Sequence, residues 1–126
     1  MDWDALRALA ERGVEVGGHT ISHPHLPRLG DAELERELRE SKERLESELA
    51  RPCRYLAYPY GEWDARVATA AESAGYEAAF ALATRPGSRF AVPRVDLYRR
   101  DSLLRAALKI SPARRALVAA RGRRDR

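Results

Sequence analysis

The chain has 126 residues, 44% of them hydrophobic and 33% charged, enough for one domain with its own core and ordinary for a soluble globular protein. Its one cysteine, Cys53, excludes an internal disulfide; the acidic opening Met1-Asp2-Trp3-Asp4 does not read as a signal peptide, and no apolar run approaches the ~20 residues of a membrane span, which leaves the compartment open between cytoplasmic, as the chain is written, and extracytoplasmic. The formal charge of +4 is unevenly placed: residues 114–126 hold six arginines and one aspartate, net +5, which leaves −1 for the rest.

Taken in order, residues 2–12 read as a helix, with Trp3, Leu6, Leu9 and Ala10 on one face and Gly13 as its stop. Val14 to Gly18 reads as a short strand. Residues 31–50 carry the clearest helical period, with Leu34, Leu38, Ser41, Leu45 and Leu49 along one side. Glutamates in its first turns suit the helix dipole. Glu35–Arg39 and Glu40–Arg44 are i,i+4 pairs, each expected to add ~0.3 kcal/mol. This helix reads as scaffold without chemistry. Arg54 to Ala57 is a strand that breaks at Tyr58-Pro59-Tyr60-Gly61, and Asp64 caps the next helix, Asp64 to Ala74. Gly75 ends that helix, and Tyr76 to Leu82 is again extended. Phe90 to Leu97 holds a further extended run in which Pro93 marks an edge strand or strand end. Asp101 is the expected cap of a helix with Leu103, Leu104 and Leu108, and Pro112 opens a last short helix ending near Gly122. The recurring helix–glycine–strand pattern indicates an α/β fold with parallel strands.

All three histidines fall in Gly17-Gly18-His19-Thr20-Ile21-Ser22-His23-Pro24-His25-Leu26. Neutral imidazole is a common metal ligand, and zinc sites often draw two histidines from one short segment. The spacing of His19 and His23 matches a helical H-E-x-x-H site, but Thr20 stands where the glutamate would be and Pro24 disfavours helical geometry at His23. The pair therefore belongs on a turn after a strand. Taken alone, a polar loop that happens to hold histidines is about as good a reading. The second chemical stretch, Tyr58 to Gly61, also follows a strand and precedes a helix. Ligand-binding groups of parallel α/β folds sit on such loops, so the two stretches are expected on one face.

The run G-V-E-V-G-G-H-T-I-S-H-P-H-L resembles the H-[ST]-x-x-H motif of the polysaccharide deacetylases, the family with the NodB homology domain. R-Y-L-A-Y-P-Y-G-E-W-D is similar to the family's third motif. The resemblance runs from about Leu6 to Leu104. It implies a partial, distorted (β/α) barrel of the NodB type, with 1–111 as the deacetylase-like domain and 112–126 as a basic helix and tail. It implies a metal-dependent hydrolase that removes N-acetyl groups from amino-sugar polymers, with Zn2+ or another divalent ion held by His19 and His23. The backbone N–H of Tyr60 would face the developing oxyanion, and Tyr58, Pro59 and Trp63 would shape the acetyl and sugar pocket.

The chain departs from the family pattern at three places. No T-F-D-D run, the family's source of the base and the third metal ligand, is present, and no histidine follows His25 to supply a late L-x-H acid. The arginine that commonly stands two residues before the third-motif proline is replaced by Ala57; Arg54 and Arg94 are the candidates to replace it in space, with Arg94 counted among the substrate-binding residues. Barrel domains of this kind run to roughly 200–250 residues, so the N-terminal strands are expected to be missing. A misassigned start, a decayed remnant and a second chain that completes the sheet are the three explanations. This chain alone is then expected to be nearly inactive. The alternative from another class is a catalytically dead remnant that binds carbohydrate or protein. A basic tail can also attract nucleic acid or anionic lipid, but without aromatic residues to stack on bases a solvated, frayed end is the better reading, and nucleic acid is not expected as a partner.

Overall fold

A computed structural model describes residues 2–82, 88–95 and 102–111. The first helix, α1 (Trp3–Glu11), starts where the Asp2 carboxylate accepts the Ala5 N–H at 2.8 Å, and it ends before Gly13, whose φ of +87° suits a residue without Cβ. Its partner is α2 (Asp31–Leu49), the long helix expected from the leucine period. Arg7 of α1 donates to both the backbone and the carboxylate of Glu48 at 2.8 and 2.7 Å, and Arg51 donates to the Ala10 carbonyl. On α2, Arg39 lies 3.9 Å from Glu35 as expected, whereas Arg44 reaches forward to Glu48 at 2.8 Å and not back to Glu40. Glu48 already faces the α1 side through Arg7, so a second cation there completes a shared cluster.

Among the described residues three strands form one parallel sheet in the order β1 (Tyr55–Ala57), β2 (Ala78–Ala81), β3 (Val92–Pro93). Tyr55 pairs with Ala78 and Phe80 with Val92. Pro93 lies on the outermost of these strands, where a missing N–H costs no ladder bond. Helix α3 (Ala65–Ser73) joins β1 to β2, capped by Asp64, which accepts the Val67 N–H at 2.8 Å, and stopped at Gly75 with φ +85°.

The expected strand Val14–Gly18 is reduced to one parallel bridge, Gly18 to Leu56. Gly18 N–H donates to the Tyr55 carbonyl and its own carbonyl accepts from Ala57. Val14 stays half exposed and Glu15 turns out to Arg54, so nothing upstream of Gly18 is drawn into a ladder. The Gly17–Gly18 pair permits the approach: a Cβ on Gly17 would lie 2.9 Å from the Tyr55 oxygen, and one on Gly18 would lie 2.4 Å from the Tyr76 hydroxyl.

The core lies between this sheet and the helices α2 and α3. Leu34 and Leu38 of α2 and Val67 and Ala71 of α3 meet Leu56, Ala79 and Ala81 of the strands, with Leu26, Cys53, Tyr58, Tyr76 and Phe90 filling in. The last described helix, α4 (Leu103–Ile110), is capped by Ser102, whose hydroxyl accepts the Arg105 N–H, one residue later than the expected Asp101. The expected helix after Pro112, the basic tail at 112–126 and Asp101 itself lie outside the described residues.

Candidate functional site

Parallel strands end at one edge of their sheet, so the loops that leave Gly18, β1 and β3 emerge together. The side chains bear this out. The His19 and His23 rings meet edge to face with centroids 4.7 Å apart, and the Tyr60 ring stands edge-on to His23 at 4.6 Å. His25 stacks flat on the other part of Tyr60 at 4.1 Å, and its Nδ1 lies 2.8 Å from the Glu62 carboxylate.

The His19 ring is oriented by Ala57. Its Nδ1 sits 2.6 Å from the Ala57 carbonyl oxygen. A carbonyl only accepts, so Nδ1 carries a proton and, in the neutral ring, Nε2 keeps its lone pair. Imidazoles that bind metals commonly hold this tautomer through the same bond from the other ring nitrogen to a backbone carbonyl. The slot where the related motif commonly has an arginine thus contributes through its backbone instead.

The loop between the histidines is strained. Thr20 has φ +67° and His23 φ +57°, both in the left-handed region, where a residue with Cβ is held at a cost of about 1–3 kcal/mol. Pro24 does keep His23 out of a helix, but the surrounding contacts force it past the extended conformation that a following proline favours. The Thr20 hydroxyl accepts the His23 N–H at 3.1 Å and closes the turn.

What holds this loop is Glu37, a residue that the reading of α2 as plain scaffold missed. Its carboxylate, only 2% exposed, accepts the Ile21 N–H at 2.8 Å, the Ser22 N–H at 3.0 Å and the Ser22 hydroxyl at 2.7 Å. Burial pushes the carboxyl pKa up, but the bonds from the Ser22 hydroxyl and from the two N–H groups, with the Arg36 charge, pull it down further, so it stays below the usual carboxylate range. A signal was present in the sequence: Leu34, Glu37, Leu38 and Ser41 stand at i, i+3, i+4 and i+7, which puts a carboxylate in the apolar stripe.

Tyr60 has φ +56° and is 48% exposed beside the histidines. The turn around it is closed by Gly61 N–H to the Tyr58 carbonyl and Glu62 N–H to the Pro59 carbonyl, neither of which uses the Tyr60 N–H. Gly61 is required twice over, by its φ of +70° and because a Cβ there would lie 2.3 Å from Cγ of Leu82.

Tyr58 and Pro59, expected as pocket walls, lie beneath the Tyr60 turn. Both are fully buried, and the Tyr58 hydroxyl donates to the Phe90 carbonyl at 3.1 Å. Burial raises the phenol pKa well above its ordinary value, with the Asp64 charge adding to it. They support the Tyr60 turn from behind. Trp63 is half-buried and packs parallel to Tyr58 with centroids 6.4 Å apart.

The two candidate arginines separate cleanly. Arg54 precedes β1, at the opposite edge of the sheet from His19, and it is engaged with Glu15 at 3.1 Å and with the Tyr55 ring. Arg94 follows β3 on the same edge as the histidines; its N–H donates to the Ala81 carbonyl and its side-chain Nε is buried without a hydrogen-bond partner. Two imidazoles fit a divalent ion; among the described residues no further His, Cys, Asp or Glu joins them in a group of three.

The fold and the site thus define an α/β domain that carries a histidine pair and an exposed tyrosine turn at one edge of a parallel sheet. The family model for polysaccharide deacetylases matches residues 1–79, more than half of the chain, and the chain belongs to that family. The curated Bacillus subtilis (strain 168) protein YxkH, which carries a polysaccharide deacetylase name, is 26% identical over 85 residues, 68% of this chain and 30% of its own length. The Streptococcus pyogenes deacetylase PplD, solved in complex with acetate, superposes with a TM-score of 0.79 at 17% identity, over 89% of this chain and 51% of that one. BC0361, a polysaccharide deacetylase from Bacillus cereus, superposes with a TM-score of 0.77 at 24% identity, over 88% of this chain and 37% of that one. The fold is therefore part of the distorted NodB-type barrel, and the chain spans between about a third and a half of the length of these proteins.

Proposed function

We propose that this chain carries part of the active site of a metal-dependent hydrolase that removes N-acetyl groups from amino-sugar polymers. The observation that supports it best is the His19–His23 pair, with Nδ1 of His19 tied to the Ala57 carbonyl and Nε2 left free. His19 and His23 would hold the ion, Zn2+ or another divalent metal. Such an ion, when bound, supplies a Lewis acid for the acyl group and makes water more acidic.

The chain's own residues do the rest. The Tyr60 N–H is free of the bonds that close its turn and donates to the acetamide oxygen as negative charge develops there. The exposed Tyr60 ring and the Trp63 edge offer flat apolar surface to a sugar ring. Arg94, which follows β3 on the same edge as the histidines, would offer its guanidinium to a hydroxyl or carbonyl of the polymer. Glu37 and the His25–Glu62 pair keep the two loops in register.

The test pairs zinc affinity, measured by competition with a chromophoric chelator, with acetate release from an N-acetylglucosamine oligomer. His19→Ala and His23→Ala each lower zinc affinity at least tenfold under this reading. Equal, small effects from all three histidine-to-alanine variants would overturn it. A second reading, a sugar- or protein-binding module without turnover, is favoured by the lack of a third ligating side chain among the described residues. Oligosaccharide binding with no acetate release, at saturating zinc, selects that reading.

A further inference from the structure

Beneath the histidine segment lies a pair of buried hydroxyls that the site as described does not use. Tyr76, two residues before β2, is 2% exposed, and Ser41 of α2 is 7% exposed. The Ser41 hydroxyl donates to the Leu38 carbonyl at 3.0 Å. The Tyr76 hydroxyl lies 3.2 Å from that same carbonyl and 3.2 Å from the Ser41 hydroxyl. Two hydroxyls carry two protons, and these oxygens accept both, so neither donor is left unpaired. The Tyr76 ring is flanked by Lys42, whose Nζ lies 5.7 Å from the ring centroid and donates to the Cys53 carbonyl at 3.0 Å. Burial pushes the Tyr76 phenol up to about 12, so at neutral pH it is an uncharged O–H.

This hydroxyl stands where a side chain at position 18 would be. A Cβ on Gly18 would lie 2.4 Å from the Tyr76 oxygen, but 3.1 and 3.2 Å from Cζ and Cε1 of the ring. Gly18 is held laterally by β1: its N–H donates to the Tyr55 carbonyl at 2.8 Å, and its carbonyl accepts the Ala57 N–H at 2.9 Å. The next residue is His19, whose Nδ1 reaches the Ala57 carbonyl at 2.6 Å. Beyond it, Ile21 and Ser22 donate to Glu37, in the same stretch of α2 as Leu38 and Ser41. Helix α2 therefore supports the segment on both sides of His19, through Glu37 on one side and through Tyr76 on the other. We propose that Tyr76 is a positioning residue for His19: its hydroxyl, fixed by Ser41 and Leu38, fills the side-chain space of Gly18 and sets how the Gly18–His19 backbone sits on β1. The consequence for metal affinity rests on the reading of His19 as a ligand; the positioning itself does not.

The experiment uses the whole 126-residue protein and two readouts. The first is the tautomer of the His19 ring, read by proton–nitrogen NMR correlation without metal at about pH 8, where unperturbed imidazole is neutral, and assigned with His19→Ala. The second is zinc affinity by chelator competition. Tyr76→Phe removes one oxygen and opens a gap under Gly18. His19 is then expected to pass from the Nδ1–H form to a mixture with the Nε2–H form. Zinc affinity should fall roughly tenfold, the lower end for groups that support a ligand. Gly18 has no positive φ, so its backbone admits alanine, but the new methyl must move about 1 Å to clear the hydroxyl. Misplacement on that scale can cost roughly 100-fold. Joining Tyr76→Phe to Gly18→Ala puts the methyl where the oxygen was, so the pair should restore the Nδ1–H form that Gly18→Ala alone disturbs. Tyr58→Phe is the control: it also deletes a buried hydroxyl bonded to a core carbonyl, and it should leave the His19 tautomer as in the parent. An unchanged His19 tautomer in Tyr76→Phe overturns the proposal, whether or not Gly18→Ala folds. An equal change in Tyr58→Phe overturns it as well, since the cause would then be a general loosening of the core. So does a paired variant whose His19 is no better ordered than in Gly18→Ala. If His19→Ala leaves zinc affinity unchanged, the metal reading falls, while the metal-free tautomer still decides the role of Tyr76.

Discussion

Replacing Glu37 by glutamine keeps the volume of the side chain and removes the charge that three donors of the His19–His23 loop share. In the glutamine variant the amide oxygen still accepts the Ile21 and Ser22 N–H groups, and the amide NH2 can donate to the Ser22 hydroxyl. What is lost is charge assistance. Bonds to a charged group contribute roughly 1.5–3 kcal/mol each and neutral ones roughly 0.5–1.5, so three bonds lose about 3 kcal/mol, less the cost of burying a charge that the variant avoids; about 1–2 kcal/mol remains. Holding Thr20 and His23 at positive φ costs a comparable amount, about 1–3 kcal/mol each. The loop is thus balanced near its limit, and Glu37→Gln should free the histidines more than it unfolds the domain. The expected result is a fall in zinc affinity of about 5- to 30-fold, since each 1.4 kcal/mol is tenfold, with a modest drop in melting temperature. Chelator competition and thermal melts measure the two. The carboxyl also has a pH signature. Its folded pKa lies below the unfolded value of about 4.3, so its stabilisation is complete above that value and is lost as pH falls through the folded pKa. The parent should therefore lose stability over that acid window more steeply than Glu37→Gln. A glutamine variant with unchanged zinc affinity and the same acid profile would refute the reasoning.

His25→Ala should leave zinc affinity within about twofold while His19→Ala and His23→Ala each cost tenfold or more, because the His19 and His23 rings meet directly whereas His25 is stacked on Tyr60 and tied to Glu62. Gly61→Ala should destabilise by roughly 2–4 kcal/mol in a denaturant melt, the sum of a Cβ at positive φ and overpacking against Leu82. Tyr58→Phe should cost roughly 1–2 kcal/mol in the same melt, since it strands the Phe90 carbonyl in the core, and it should leave zinc affinity unchanged.

Several features were legible in the sequence because they depend on neighbours along the chain. The leucine period of α2, the Asp64 cap, the glycine stops at 13 and 75, and the strand–loop positions of the two motifs follow from local periodicity and turn chemistry. The family could be seen for the same reason, since its motifs are short contiguous runs. Tertiary structure alone decided the rest. Glu37 became the anchor of the histidine loop because α2 happens to pass beneath it, 15 and 16 residues later in the chain. Tyr58 and Pro59 went into the core because the space between β1 and Phe90 had to be filled, whereas Tyr60, two residues on, was turned outward by a left-handed backbone. Arg54 and Arg94 were equal candidates by composition; the direction of their strands put one at each edge of the sheet. The Val14–Gly18 run had a strand's residues but gained only the Gly18 bridge, since a strand is made by a partner across a ladder, and pairing is a property of the fold and not of the segment.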